Sequence, residues 1–448
     1  MKCLFYWRFI YLCTFWLAGG CIPVKKSTVE PMIVKLPAPV EKFALDSTPG
    51  NSLLLSGLLQ KLPAQFAGII ADPEKYRVQV IYTQIDRDPA NKPIFRHHYY
   101  HVTEQYTYPA STVKLPAAIL TLEKLNKLGV DGLGLNTPMF TESLRPGEKP
   151  VLDDSSSKSG KPSAGHYIKK IMLVSDNDAN NRLYEFLGQQ PFNERLKELG
   201  FSQAQINHRL SIALNDMENR TTNPVWFMGT KGETLYRQPF AISTLQYAYR
   251  DDKIGNGYMK SGGPGQPDLK VDVPLDFSIK NRWPIKYAHL LTQWIMFPES
   301  QPEDNRLVLS ASDYSFLWKY MSMLPGESDF PKYAADDYWP TYVKFLLTGS
   351  EKGPWFNPDV RIFNKVGDAY GHLLDAAYIV DFERNIEFML SAVIYCNSDE
   401  VLNDDQYDYD NLGFPFMKAL GQVIYQHEVE RERPRVPDLS RFKINYRE

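Results

Sequence analysis

Two side chains at the head of an apolar segment have types and spacing that could do nucleophilic chemistry. In "YPASTVKLPAAIL", Ser111 and Lys114 stand three residues apart. One helical turn would put both on the same face. A hydroxyl is a poor nucleophile until a neighbouring base takes its proton. An amine can be that base only if its pKa is depressed, because an unperturbed lysine is neutral about once in 2,500 molecules at pH 7. The same pair also reads as an N-cap serine followed by a solvated lysine. Ser155 and Lys158 repeat the spacing in "DDSSSKSGK", a run so polar that a solvated loop is expected. The pattern needs company before it means catalysis.

Two further segments supply it. Ser175-Asp176-Asn177 in "MLVSDNDANN" lies between two helical stretches. It reads either as a helix cap or as a hydroxyl and an amide projecting from a loop into a cleft. Lys365-Val366-Gly367 in "IFNKVGDAYG" closes a strand. A glycine there allows another backbone to come close, and the lysine offers an anion site or a solvated strand end. No cofactor is called for. No metal is expected either, because the eight histidines lack ligand spacing, and His97, His98 and His101 in "HHYYH" fall on a strand that splits them between faces.

Taken in this order, S-x-x-K, S-D-N and a late-strand K-x-G resemble the motif set of class A β-lactamases and penicillin-binding proteins. The resemblance covers residues 66 to 225 and 287 to 425, and "PASTVKLP" and "VSDNDANN" are the stretches most like the family. It implies an acyl-enzyme on Ser111, with Lys114 as base or part of a proton relay and Ser175 passing a proton to the leaving nitrogen. Asn177 would bond the substrate's side-chain amide and orient Lys114. Lys365 would bind an anion and, as a second positive charge, lower the pKa of Lys114. Gly367 would let substrate approach, and the backbone N–H groups of Ser111 and Asp368 would form the oxyanion hole. The implied substrate is a β-lactam or a related, peptidoglycan-like amide. A penicillin-binding D,D-peptidase-like protein with slow deacylation, and a non-catalytic envelope binding protein, are the alternatives.

Three departures from the family pattern bear on this. Val366 replaces the hydroxyl residue between lysine and glycine. The family's R-x-E-x-x-L-N loop, whose glutamate activates the deacylating water, is matched by "RLSIALN" (209 to 215), with Ser211 in the glutamate's place. Asp216 and Glu218 lie just beyond and read either as substitutes for that glutamate or as loop charges pairing with Arg209 or Arg220. The separation of Ser175 from Lys365 exceeds that of the compact enzymes, which places an insertion near 226 to 286, covering one edge of the cleft.

The elements that must position these groups follow from periodicity. Strand character at 76 to 86 and in "FRHHYYHV" predicts a hairpin, and "DVRIFNKVG", "LLDAAYIVDF" and "IEFMLSAVIYC" predict three late strands, the last two joined by a tight turn. Helices are expected from Ser111 to Gly129, in "HYIKKIMLV", "DANNRLYEFLG", "PFNERLKELG", "YAHLLTQWIMF" and "ASDYSFLWKYMSML", and near the C-terminus. Strands at both ends with helices between make the fold class α/β, with an antiparallel sheet built from N- and C-terminal strands and flanked by helices. The resemblance further implies an all-α subdomain carrying the S-D-N loop, β-lactamase-like.

Composition fits a folded domain, with 43% hydrophobic and 23% charged residues over a length of 448. A net charge of −3 gives no support to a nucleic-acid partner. Residues 1 to 21 read as a signal segment: Lys2 and Arg8, the short apolar run "FIYLCTFWLA", then "GGC". The small residues before Cys21 resemble a lipoprotein cleavage box, although Ala18 stands where leucine is usual and Leu17 lies one place back. A lipid on Cys21 would anchor the protein to a membrane of the bacterial envelope, on its periplasmic face. A plain secretory signal and an uncleaved anchor are the other readings. Residues 22 to 50 are Pro-rich and read as a tether, and 51 to 448 as the catalytic domain. Cys396, in an apolar run, reads as a buried small hydrophobe.

Overall fold

Strands β1 (Gln79–Arg87) and β2 (Pro93–Tyr100) form the hairpin that the strand character at 76 to 86 and in "FRHHYYHV" predicts, and β1 then pairs with a strand from the far end of the chain. The structure is a computed structural model and describes residues 43, 45 and 47 to 447, apart from 146, 248, 249 and 264. The signal segment with Cys21, and the tether up to residue 42, lie outside the described residues.

Five strands make one antiparallel sheet, in the order β3 (Val360–Ala369), β4 (His372–Asp381), β5 (Ile386–Tyr395), β1, β2. Burial runs unbroken along β1, β4 and β5 because both faces are covered. Alternate side chains therefore serve two cores. Val80 and Tyr82 point to one, with α1 (Leu53–Leu59) and the C-terminal helix, while Ile81 and Ile85 point to the other. Cys396 is fully buried in the first of these cores, as expected for a small apolar side chain.

The second core is closed by a helical block. It holds α2 (Lys114–Leu128), α3 (Ala164–Val174), α4 (Asn177–Leu187) and α5 (Gln189–Glu198), followed by α6 (Ile285–Met296) and α7 (Ala311–Ser322). Helix α2 buries Leu115, Ala118, Leu122 and Leu125 on the expected face, each leucine contributing about 1.5–3 kcal/mol. Pro116 is tolerated because the first turn has no N–H bond to lose, and Gly129 ends the helix at φ 58°. Helix α7 starts on a capping box, Ser310 with Asp313. The last helix, α8 (Phe414–Glu430), packs on the other face of the sheet.

The stretch that lacks periodicity folds as short strands. Val225–Met228 pairs with Thr234–Gln238 and Met139–Thr141, and Gly257–Lys260 pairs with Leu269–Val271 and Val401–Leu402. Strands of two to five residues carry too few alternations to be read from sequence. Helix α1 also escaped the sequence reading, since seven residues are too few for a period.

Candidate active site

Ser111 lies inside a short 3-10 turn, Ala110–Val113, that runs directly into α2 at Lys114. It does not cap the helix: neither end of the turn nor the helix start has a side-chain cap bond. Ala110, just before it, is held at φ 46°. An L-residue in that left-handed conformation costs on the order of 1–2 kcal/mol, so the turn is fixed by its surroundings. Ser111 is part-exposed, and among the described residues nothing hydrogen-bonds its hydroxyl.

Lys114 turns inward instead and is fully buried. Its Nζ donates to the Ser175 carbonyl oxygen, to Ser175 Oγ at 3.2 Å and to Asn177 Oδ1 at 2.7 Å. The S-D-N segment is thus bolted to the helix that carries Ser111. The loop is built for this: Ser175 ends α3 in the left-handed conformation at φ 59°, and Asp176 caps α4 by accepting from the Ala179 N–H at 2.8 Å. Asp176 takes the capping role, which leaves the Ser175 and Asn177 side chains to bond Lys114.

Strand β3 is the edge of the sheet and brings the third segment. Lys365 Nζ donates to Ser175 Oγ at 2.8 Å and to the Val366 carbonyl at 2.8 Å. Both lysine amines therefore converge on one hydroxyl oxygen. Gly367 packs against the turn of Ser111: a Cβ placed on it would lie 2.8 Å from the Pro109 oxygen and 2.9 Å from the Ser111 nitrogen. Val366 points to the opposite face, 1% exposed in the core under α8, so a β-branched apolar residue suits its place. Asp368 is exposed at the strand's end.

Burial and like charge set the electrostatics. Neither amine has a carboxylate within salt-bridge distance among the described residues; each bonds neutral oxygens. Burial holds Lys114 well below the usual lysine range, and the charge of Lys365 pushes it further in that direction. Burial lowers Lys365 itself to about 7, with Asp368 and Asp375 pulling the other way. The arrangement can supply an unprotonated amine next to a protonated one.

Ser211, where the family's glutamate would stand, does reach the site. Its Oγ accepts from Asn177 Nδ2 at 2.8 Å. The loop is anchored by Arg209, buried against Glu185 of α4 at 2.7 Å and donating to the carbonyls of Glu218 and Thr221. Asp216 pairs with Arg220 at 2.7 Å, as expected, but Glu218 instead closes a capping box on Asn215, and both lie in a one-turn helix, Asp216–Arg220, rather than in a loop. Glu185 was not singled out from sequence; its signal was a lone acid among "LYEFL" on the buried side of an amphipathic helix.

Phe277, in the stretch expected as an insertion, packs against aromatic residues near Ser111 and the end of β3. Phe277 packs on Tyr108 (ring centroids 5.7 Å) and on Tyr370 (5.3 Å), and Tyr108 and Tyr370 meet each other at 4.9 Å. Tyr108 lies three residues before the nucleophile candidate and Tyr370 two after Asp368.

Comparison with known proteins agrees with this geometry. Residues 64–235 match a family described as the Beta-lactamase enzyme family. That match spans the turn of Ser111, the S-D-N loop and the Arg209 loop, so the resemblance of this chain to the β-lactamase and penicillin-binding serine hydrolase superfamily holds. No curated protein matches the chain. Among solved structures, a class A β-lactamase from Clostridium kluyveri DSM 555 is similar at 14% identity, covering 82% of this chain and 99% of its own, with a TM-score of 0.44. A β-lactamase from Sphaerobacter thermophilus DSM 20745 shares 11% identity, covering 84% and 98%, with a TM-score of 0.43. A point mutant of PBP-A, solved as an acyl-enzyme complex with penicillin G, shares 13% identity, covering 86% and 100%, with a TM-score of 0.44. The chain is an α/β protein with an antiparallel sheet flanked by helices, and residues 64–235 carry its resemblance to the β-lactamase family.

Proposed function

We propose that the protein is an active-site serine hydrolase that transfers the acyl group of a β-lactam or a related amide to Ser111. The observation that carries this reading is the convergence of Lys114 and Lys365 on the Ser175 hydroxyl, 3.2 and 2.8 Å away. A binding protein gains nothing from burying two lysines without carboxylate partners, which costs free energy. In the proposed reaction unprotonated Lys114 takes the Ser111 proton as Oγ bonds to the carbonyl carbon. The oxyanion is held by the N–H groups of Ser111 and Asp368. Ser175 then gives its proton to the leaving nitrogen as the C–N bond breaks, and recovers one from the lysine side.

A second reading concerns the fate of the acyl-enzyme, and Ser211 favours it. A hydroxyl beside Asn177 cannot act as the carboxylate base that activates water, and loss of a general base slows a step by about 10²–10⁴-fold. The acyl-enzyme should then persist, as in a penicillin-binding protein. The envelope location and the lipid on Cys21 belong to the same proposal and rest on the first 21 residues. Turnover of a chromogenic cephalosporin, measured beside the intact mass of the protein after incubation with penicillin, separates the outcomes. Fast turnover without adduct supports a β-lactamase, and a lasting adduct supports the penicillin-binding type. The absence of both signals argues for the non-catalytic alternative.

A further inference from the structure

Residues 277 to 282 are hydrogen-bonded to Tyr106 and to the segment that leads into the Ser211 loop, and they pack on Tyr108 and Tyr370. Asn281 Oδ1 accepts from the N–H groups of Asn207 and His208, at 2.8 and 3.1 Å, and its Nδ2 donates to the His208 carbonyl at 3.2 Å. Those residues lead directly into Arg209 and Ser211. The Tyr106 hydroxyl, on the approach to Ser111, donates to the Asn281 carbonyl at 2.8 Å, and Asn207 Nδ2 donates to the Ile279 carbonyl at 2.8 Å. Phe277 fills the corner between Tyr108 and Tyr370. A peptide fixed at this many points places its side chains as firmly as a helix would.

One of those side chains is a cation, Lys280. Lys280 is half-buried, and its ammonium lies 5.4 Å from the ring centroid of Tyr370. Among the described residues no carboxylate lies within salt-bridge distance of it. Its field reaches the cleft wall: His208, whose Nδ1 bonds the Arg209 carbonyl and whose Nε2 is buried without a partner, is pushed down to about 4 by burial and then by Lys280. Tyr108 stacks on His208, so the lysine, the tyrosines and the Ser211 loop form one continuous wall. Asn177, the group assigned to the substrate's side-chain amide, touches that wall through Ser211.

We propose that Lys280, supported by Tyr370, is a specificity residue that selects substrates whose acyl group carries a carboxylate beyond the scissile bond. The inference deepens the acyl-transfer reading and rests on it for the direction in which substrate lies. The aromatic ring holds the ammonium in place, so little side-chain entropy is lost when an anion arrives. The site is fed by the acyl half of the substrate, on the side of Asn177 and Ser211. It is separate from Lys365, which faces Ser175.

The test compares a penicillin with a phenylacetyl side chain and its α-carboxylated counterpart, which differ by one anionic group on the acyl side. Binding to Ser111→Ala protein is measured calorimetrically, so the preference is read without acyl transfer. The carboxylated compound should bind roughly threefold to fivefold tighter, the range of a partly exposed ion pair. Lys280→Gln should bring the ratio to about one, and Lys280→Glu should invert it. Acylation rates of the protein with Ser111 intact should follow the same ranking. Equal ratios in all three proteins, or no binding of either compound, would overturn the assignment. Normal ranking in binding with no adduct on Ser111 would sink the acyl-transfer reading and leave this one standing.

Discussion

Gly367 packs so closely beneath Ser111 that a methyl group on its α-carbon would stand 2.9 Å from the Ser111 nitrogen. The other atoms it would meet, Pro109 O at 2.8 Å and Thr112 N at 3.0 Å, are also backbone, so no side chain can swing aside. The two segments that would hold the oxyanion are thus in contact through a residue with no side chain. Gly367→Ala should lower the rate of Ser111 acylation at least tenfold and cost about 1–3 kcal/mol of stability, as overpacking does. Stopped-flow acylation and a urea titration measure the two effects. A normal rate would mean the turn of Ser111 is free to shift.

Ala110 adds a second constraint on the same turn. At φ 46° it favours glycine, so Ala110→Gly should not destabilise the fold and should raise the melting temperature if the strain is stored there. The same change should slow acylation, because the turn that presents Ser111 loses its stiffness. A parallel rise in both would contradict the assignment of a positioning role to Ala110.

Ser211 is the residue whose replacement should change the outcome of the reaction. Ser211→Glu puts a carboxylate next to Asn177, on a loop already anchored by Arg209 and Glu185. Deacylation should accelerate by about 10²-fold, the contribution of a general base. Decay of the penicillin adduct by mass spectrometry gives the rate, and an unchanged lifetime would place Ser211 too far from the acyl bond.

The Arg209–Glu185 pair is 1% exposed on each side. Removing one partner strands the other charge, so Arg209→Ala should cost about 3–5 kcal/mol. Replacing both with apolar residues should restore much of this. Chemical denaturation of the two single variants and the double variant gives the coupling.

Lys365 sets the pH dependence. Burial brings its folded pKa to about 7, below the unfolded lysine value of 10.5. Between those two values the unfolded chain binds more protons, so this group makes stability rise with pH across that window. For reaction with an anionic substrate the sign is opposite: the charge on Lys365 is present below about pH 7 and lost above it. The second-order acylation rate, which reports the free enzyme, should fall as pH passes through 7, and Lys365→Gln should lower the rate and remove that limb.

The sheet and most helices were legible because their apolar character is sustained, as an unbroken buried run in β4 and as a helical stripe in α2. The three motifs were legible as types and spacing. Sequence could not show that Ser111 leaves the helix cap unfilled, or that Asp176 rather than Ser175 caps α4, because both depend on one backbone angle. Glu185 and Lys280 were missed for a different reason. Each acts through partners distant in sequence, Arg209 in one case and Tyr370 in the other, and no local pattern records such a pairing.

The central claim is that Ser111 becomes acylated, and peptide mapping after exposure to benzylpenicillin tests it most directly. The account predicts a penicilloyl mass increment on the peptide containing Ser111, absent in Ser111→Ala and strongly reduced in Lys114→Ala. An unmodified Ser111 peptide at saturating penicillin, or an increment that survives Ser111→Ala, would contradict it.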